Sequence, residues 1–243
     1  MRALILSDIH SNLEALTAVV DDALSRGGFD LIWCLGDLVG YGPDPGPCLK
    51  LLRGYDLLAV AGNHDHAAVG KVDIQYFNSA AKEAIQWTSD RLTAAEAEYL
   101  AGLPTVTIAE PFTLVHGSLR SHLEEYLLNR ESALATLELL GTRFCLVGHS
   151  HVPFLCRESQ GSPQFLQFAE GEVLPLGEDR MIINPGSVGQ PRDRDPRPSY
   201  AVYDSRQETI QRLRVTYTIN RTQEKMQEAN LPRYLIDRLS NGV

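Results

Sequence analysis

The sequence predicts an α/β fold. It reads as one domain over residues 1–243, with a core over 1–216, a helical tail over 217–243, and a sheet in two parts. Three observations carry this. Over roughly the first 150 residues, short apolar runs alternate with stretches of helical periodicity, the pattern of a parallel sheet with crossover helices. From about 153 to 216 the pattern shifts to short alternating runs broken by Gly, Pro and Asp, as in antiparallel strands. No linker-like stretch or internal repeat divides the chain, and 243 residues can bury a full core without covalent staples.

The first element, residues 2–7, is an apolar run read as a buried strand. Ser11-Asn12-Leu13-Glu14 fits a capping box, with Ser11 as the cap and Glu14 reaching back. Leu13, Leu16, Val20, Ala23 and Leu24 then recur at helical spacing until Gly27-Gly28. Residues 30–35 and 57–61 read as further buried strands, separated by a helix near 46–53. Helices are expected at about 77–90 and 93–102, the second opened by a Thr93–Glu96 capping box. Strands come next over 105–115, then a helix over 129–140 and an apolar strand over 143–147. The tail at 220–240 looks helical with a break at Pro232.

Composition narrows the function classes. The 22 basic and 31 acidic residues give a net charge of −9. Such a chain lacks the basic stripe that tracks a long phosphate backbone, so no long nucleic acid is expected as a partner. A small phosphorylated ligand stays compatible if metal ions supply local positive charge. No run approaches the roughly 18 apolar residues of a membrane span, so no membrane partner is expected. The first apolar run ends at Ser7-Asp8, too early for a signal-peptide core. Cys34, Cys48, Cys145 and Cys156 form no C-x-x-C pair and read as thiols in a reducing cytoplasm.

The strand ends are the informative positions. The first strand ends in Ser7-Asp8-Ile9-His10, the second in Gly36-Asp37, the third in Gly62-Asn63-His64-Asp65. The strand near 112–115 ends in His116-Gly117, and the one near 143–147 in Gly148-His149-Ser150-His151. Each piece alone is weak. Gly-Asp is usually a turn, and a lone histidine is usually a hydrogen-bonded core residue. Five strand ends in order are another matter, because ligand sites of open α/β sheets lie at the carboxyl ends of strands. In an extended backbone residues i and i+2 face one way, which puts Asp8 beside His10 and His149 beside His151. Gly-His-Ser-His-Val152 fails the serine-hydrolase elbow, which needs Gly in the fifth place.

Four imidazoles (His10, His116, His149, His151), two carboxylates (Asp8, Asp37) and the Asn63 amide make seven candidate ligands. Seven is too many for one tetrahedral zinc. It suits two metals sharing a bridging carboxylate. Mixed nitrogen and oxygen donors without thiolates favour Mn, Fe, Zn, Co or Ni over Ca or Mg. Two such ions can clamp a phosphoryl group and generate hydroxide between them.

With these residues in order, the sequence resembles the calcineurin-like metallophosphoesterases. Their motif series D-x-H, G-D, G-N-H-D/E, H and G-H-x-H appears here complete over residues 8–151. Asn184-Pro185-Gly186-Ser187-Val188-Gly189-Gln190-Pro191-Arg192 is similar to the small bacterial and archaeal phosphodiesterase branch. The resemblance covers roughly 8–204. It implies a four-layer αββα sandwich of two mixed sheets flanked by helices, with a dinuclear metal site at strand ends. It also implies that Asp8, His10 and His151 hold one metal, that Asn63, His116 and His149 hold the other, and that Asp37 bridges. His64 becomes the general acid or phosphate contact rather than a ligand.

One departure matters. The Ser/Thr protein phosphatases of this superfamily read G-D-x-x-D-R-G, whereas this chain reads Gly36-Asp37-Leu38-Val39-Gly40-Tyr41-Gly42. Gly40 replaces the acidic partner of the catalytic histidine, and Tyr41 replaces the phosphate-binding arginine. Asp65 and Asp44 are the candidates left to orient His64. Tyr41 and Arg192 are candidate substrate contacts. Arg192 opens the charged loop 191–198, which otherwise reads as a surface turn whose charges pair with each other. The expected function is hydrolysis of phosphodiesters or small nucleotides by a metal-bridging hydroxide, with two divalent transition metals, Mn first. The alternatives are a diadenosine tetraphosphatase-like pyrophosphohydrolase and a non-catalytic protein-binding scaffold of the same fold. A scaffold need not keep every ligand together with His64, and this chain keeps them all.

Overall fold

The computed structural model describes residues 1–243. In chain order the first half runs β1 (Arg2–Leu6), α1 (Leu13–Ser25), β2 (Leu31–Cys34), α2 (Pro45–Leu52), β3 (Leu57–Ala59) and α3 (Asn63–Ala68). A 3-10 turn at Ile74–Tyr76 leads to α4 (Ser79–Ser89), α5 (Ala94–Gly102), β4 (Val106–Ala109) and β5 (Phe112–Val115). Then come α6 (Arg130–Leu139), β6 (Phe144–Leu146), β7 (Phe154–Ser159), β8 (Ser162–Leu166), β9 (Val173–Pro175) and β10 (Met181–Asn184). β11 (Ser199–Asp204), β12 (Thr209–Arg214), α7 (Ile219–Glu228) and α8 (Arg233–Arg238) complete the chain.

The strands form two mixed sheets, ordered β3-β2-β1-β11-β12-β9 and β4-β5-β6-β10-β7-β8. Alternation along each strand explains the layers. In β1, Ala3 and Ile5 face inward and meet Trp33, Phe112, Phe144 and Ile183 between the sheets. Leu4 and Leu6 face outward and pack with Ile32 and Cys34 under α1 and α2. Val115, Cys145 and Ile182 face the other way, against Ala133 and Leu137 of α6. Strands buried on both faces read as continuous apolar runs. The result is the helix–sheet–sheet–helix sandwich that the resemblance implies.

Several local expectations need correction. The cap of α1 is Asn12, whose side chain accepts the Ala15 N–H at 3.1 Å. Ser11 sits at φ 53 with its buried hydroxyl unpartnered, and an N-cap needs extended backbone instead. Glu14 turns to Thr222 and Lys225 of the tail rather than back to Ser11. The Thr93–Glu96 box forms as expected. Residues 105–115 are a hairpin of two strands, β4 and β5. The strands of 153–216 pair antiparallel except at β10, which pairs parallel to β6 (Ile182 opposite Cys145) and antiparallel to β7, and one isolated parallel bridge joins Glu170 to Arg212.

Helix α3 has no counterpart among the expected elements, and it shapes the site. Its cap is Gly62, which has no side chain to satisfy the first amides. Asp65 reaches back to the Gly62 N–H at 2.9 Å, and Asp37 accepts the His64 N–H at 2.9 Å from the end of β2. A Cβ on Gly62 would lie 2.0 Å from Asp37 Oδ1, so only glycine lets this carboxylate in. The tail breaks at Pro232 into α7 and α8. Met226, Leu231, Leu235 and Leu239 pack on Tyr41 and on Ala81 and Ala84 of α4, so the tail backs one wall of the site.

Candidate metal centre

The polar strand ends converge on one buried cluster. Asp8, His10, Asp37, His116 and His151 are each at most 2% exposed. The backbone that delivers them is not extended. Asp8, His10, Asp37, His149 and His151 all have positive φ, between 48 and 63°. Non-glycine residues adopt that conformation at a cost and need surroundings that impose it. Here the Asp8 N–H donates to Gly36 O, His10 N–H to Asp37 O, and Gly189 N–H to Asp8 O. Ser187 Oγ also donates to Asp8 O, and Asn184 Nδ2 to Gly148 O.

Two donor groups result. Ligand atoms of Asp8, His10, Asp37 and His151 lie within 4.8 Å of one another, as do those of Asp37, His116 and His149. Asp37 belongs to both. Its Oδ2 lies 3.5 Å from His10 Nε2 and 3.4 Å from His116 Nε2, while Oδ1 caps α3. Asn63 Oδ1 lies 3.1 Å from His116 Nε2, on the second side. His149 and His151 do not sit side by side as the i, i+2 argument predicts. His151 Nε2 is 3.3 Å from Asp8 Oδ1, whereas His149 joins His116 with ring centroids 4.9 Å apart. The left-handed turn at both residues rotates them apart.

Backbone carbonyls fix the tautomers. Nδ1 of His10, His116 and His151 faces Val39 O (3.2 Å), Leu35 O (2.8 Å) and Gln190 O (2.6 Å). His149 uses Nε2 instead, facing Glu124 O at 3.2 Å. The nitrogen that donates to a carbonyl keeps its proton, so whenever the ring is neutral the other presents a lone pair. His10 Nε2 and His151 Nε2 stand 3.2 Å apart, and with both rings neutral and their Nδ1 protons spent on carbonyls a shared cation would offset the repulsion of the two lone pairs. The donor set of four imidazoles, two carboxylates and an amide oxygen therefore fits divalent transition metals.

Protonation without metal is set by burial and the two carboxylates. Burial holds His10 and His151 well below the usual imidazole range and His149 at about 3. Burial also pulls on His116, but the Asp37 charge outweighs it and lifts His116 to about 9. Burial raises Asp8 to about 6, partly offset by His116. His116 is thus protonated at neutral pH in the metal-free protein and would have to release that proton to bind a metal. Its raised value contributes stability to the metal-free fold that is complete below about pH 6.5 and lost as pH rises through about 9. Titration calorimetry with Mn²⁺ in buffers of different ionisation enthalpy should therefore show proton release at pH 7. Affinity should rise up to about tenfold per pH unit between 7 and 9. Pure buffer-independent heat at pH 7 would contradict the His116 assignment.

A cleft of about 250 Å³ opens over the cluster, lined among others by Asp37, Asn63, His64, His149, His151 and Arg192. Burial holds His64 at about 4, so its ring is neutral at neutral pH in the free protein. Neither expected carboxylate orients it. Asp65 accepts the Val39 and Gly62 N–H groups, and Asp44 pairs with Lys225. His64 Nδ1 is buried and unpartnered. Packing fixes the ring instead, against Tyr41 (4.2 Å between centroids), His10 (4.9 Å) and Phe77 (5.3 Å). A Cβ on Gly40 would meet His64 Nδ1 at 2.7 Å, so no larger residue fits at this position.

Arg192 turns to the cleft, donating from Nη2 to Gln190 Oε1 at 3.0 Å, with its guanidinium 6.0 Å from the Tyr41 ring centroid. Its Nε is buried without a partner. The rest of loop 191–198 does pair internally and with its surroundings. Arg197 binds Asp195 and Glu170, and Arg214 of β12 binds Asp193. Tyr126 is the residue that sequence reasoning missed. Its ring stacks on His149 at 4.0 Å and 15°, and it lies in a loop with no motif to mark it.

The Calcineurin-like phosphoesterase superfamily domain matches residues 1–208. An uncharacterized protein of Methanocaldococcus jannaschii is 38% identical over 98% of this chain and 97% of its own length. A metallophosphoesterase structure from Sphaerobacter thermophilus is 44% identical, covers 100% of this chain and 99% of its own, and superposes with a TM-score of 0.90. A hypothetical protein from Pyrococcus horikoshii shares the fold at a TM-score of 0.82, with 18% identity over 100% of this chain and 98% of its own.

Proposed function

Because the chain belongs to the calcineurin-like phosphoesterase superfamily, we propose that it is a cytoplasmic hydrolase of phosphodiesters or small nucleotides, working as one domain with two divalent transition metals, Mn²⁺ first among them. One observation carries this reading: Asp37 Oδ2 lies between two buried donor groups under an open cleft. Asp8, His10 and His151 would hold one ion, Asn63, His116 and His149 the other, with Asp37 shared. Bound there, the ions would ionise water to the nucleophile and draw charge from the phosphoryl oxygens.

The chain's own residues then divide the remaining work. Water's oxygen bonds to phosphorus, the P–O bond to the leaving group breaks, and the departing oxygen takes a proton. His64 faces that oxygen as a neutral imidazole and donates a hydrogen bond to it, while the proton that completes the leaving group comes from water. Arg192 supplies a two-pronged contact to a substrate phosphate. Tyr41 beside His64 supplies no charge, so the cleft has one guanidinium where a doubly charged monoester would want more. A singly charged diester fits this better than a phosphoprotein.

The test is a panel with Mn²⁺ on wild type and Arg192→Ala: bis-aryl diester, dinucleoside polyphosphate, cyclic nucleotide and phosphoserine peptide. The diester should be hydrolysed faster than the peptide. Arg192→Ala should keep its metal content and raise the Michaelis constant, most for substrates with an extra phosphate. Faster turnover of the phosphoserine peptide would overturn the diester reading. No hydrolysis of any member by a metal-loaded protein would favour the scaffold.

A further inference from the structure

We propose that the cleft binds the nucleoside part of a nucleotidyl phosphate ester, with Tyr76 as the platform on which the base stacks. The inference rests on the phosphoesterase reading above and adds the chemistry of the group attached to the phosphate. Tyr76 ends the 3-10 turn and is 87% exposed. It belongs to none of the apolar clusters, although its neighbour Phe77 turns inward to His64 and to the tail. A single exposed aromatic needs no explanation. Tyr76, however, lines the same cleft as Tyr41, Phe77 and Tyr126. Tyr126 lays one face on His149 and is 47% exposed.

The turn that displays Tyr76 is pinned from beneath. Asp73 Oδ1 accepts the Gln75 N–H at 2.9 Å, so the ring is presented by a held backbone. The rim beside it is polar. Asn78 spends its Oδ1 on the Ala81 N–H as the cap of α4, which leaves its amide N–H groups without a protein partner, and the Asp73 carboxylate lines the same rim while accepting one hydrogen bond on each oxygen, from the Gln75 N–H and from Gln75 Nε2 (2.6 Å). Open π-faces beside a hydrogen-bond donor and an acceptor match a base, which has two faces and a polar edge. An alkyl alcohol or a serine side chain has no use for them. Stacking is tolerant of base identity, so the platform selects nucleosides as a class.

The test compares two esters with one leaving group, thymidine 5′-(p-nitrophenyl phosphate) and ethyl p-nitrophenyl phosphate, on the full Mn²⁺-loaded chain. Wild type should favour the nucleoside ester in kcat/KM. Tyr76→Ala should cut that preference about tenfold, the weight of one base stacked on an aromatic ring, with the change in KM. Tyr76→Phe should retain it. An equal kcat/KM for both esters, or a preference unchanged in Tyr76→Ala, would overturn the proposal. Should neither ester be hydrolysed, the diester reading fails by itself. Calorimetric titration with thymidine monophosphate against ethyl phosphate still decides base binding: tighter thymidine monophosphate binding that weakens in Tyr76→Ala supports it, and equal affinities overturn it.

Discussion

Asp37→Asn is expected to leave the fold intact and abolish nearly all turnover. The asparagine keeps an Oδ1 that can cap α3 through the His64 N–H. It loses the negative charge between His10 and His116. His116 then has no reason to hold its proton, because Asp37 is what lifts it against burial. Both donor groups lose their shared member at once. A metal's charge stabilisation is worth several kcal/mol. At about 1.4 kcal/mol per tenfold, the loss amounts to at least about 10³-fold. Elemental analysis should find fewer than two metals per chain. Two tightly held metals and near-normal turnover would remove Asp37 from its proposed place.

His64→Ala is expected to do the opposite to metal content and nearly the same to turnover. His64 Nδ1 makes no hydrogen bond and its neighbour Asn63, not His64, adjoins His116. Metal content should therefore match wild type. A hydrogen-bond donor placed at developing negative charge is worth typically about 10²–10³-fold, so esters with alkoxide leaving groups should slow by that amount. Nitrophenolate leaves without much help and should show a much smaller loss. The ring also fills space between Tyr41 and Phe77, so His64→Gln serves as a control that keeps volume. Normal rates on an alkoxide ester in both variants would end the proposed role. Equal losses on both kinds of ester would point to a phosphate contact instead.

The strands and the layering are legible in the sequence because burial on both faces leaves an unbroken apolar run, as in Ala3–Leu6 and Leu31–Cys34. The polar residues of the centre are legible for the complementary reason: each stands where such a run stops. Strand geometry does not give their partition; only the motif resemblance divides them between two groups. The i, i+2 argument assumes extended backbone, and His149 and His151 have φ of 63° and 59°. That conformation is imposed by distant contacts, such as Arg192 N–H to His151 O, which no local pattern encodes. Helix α3 is hidden because half of its cap comes from Asp37, 27 residues away. Tyr126 is hidden because stacking on His149 leaves no periodicity. The sequence directs the search for a partner of His64 to carboxylates, whereas aromatic packing orients the ring.

The position of β1 bears on how the molecule is made. It lies between β2, about 25 residues away, and β11, nearly 200 residues away. On a ribosome adding about 5–20 residues per second, one edge of β1 waits roughly ten seconds or more for its partner. Until then Asp8 lacks both Gly189 and Ser187, which hold its left-handed turn. The nascent chain can therefore carry Asp8, His10 and Asp37 without being able to aim them. In the proposed centre, metal capture would then be an event of the finished sheet rather than of the emerging chain.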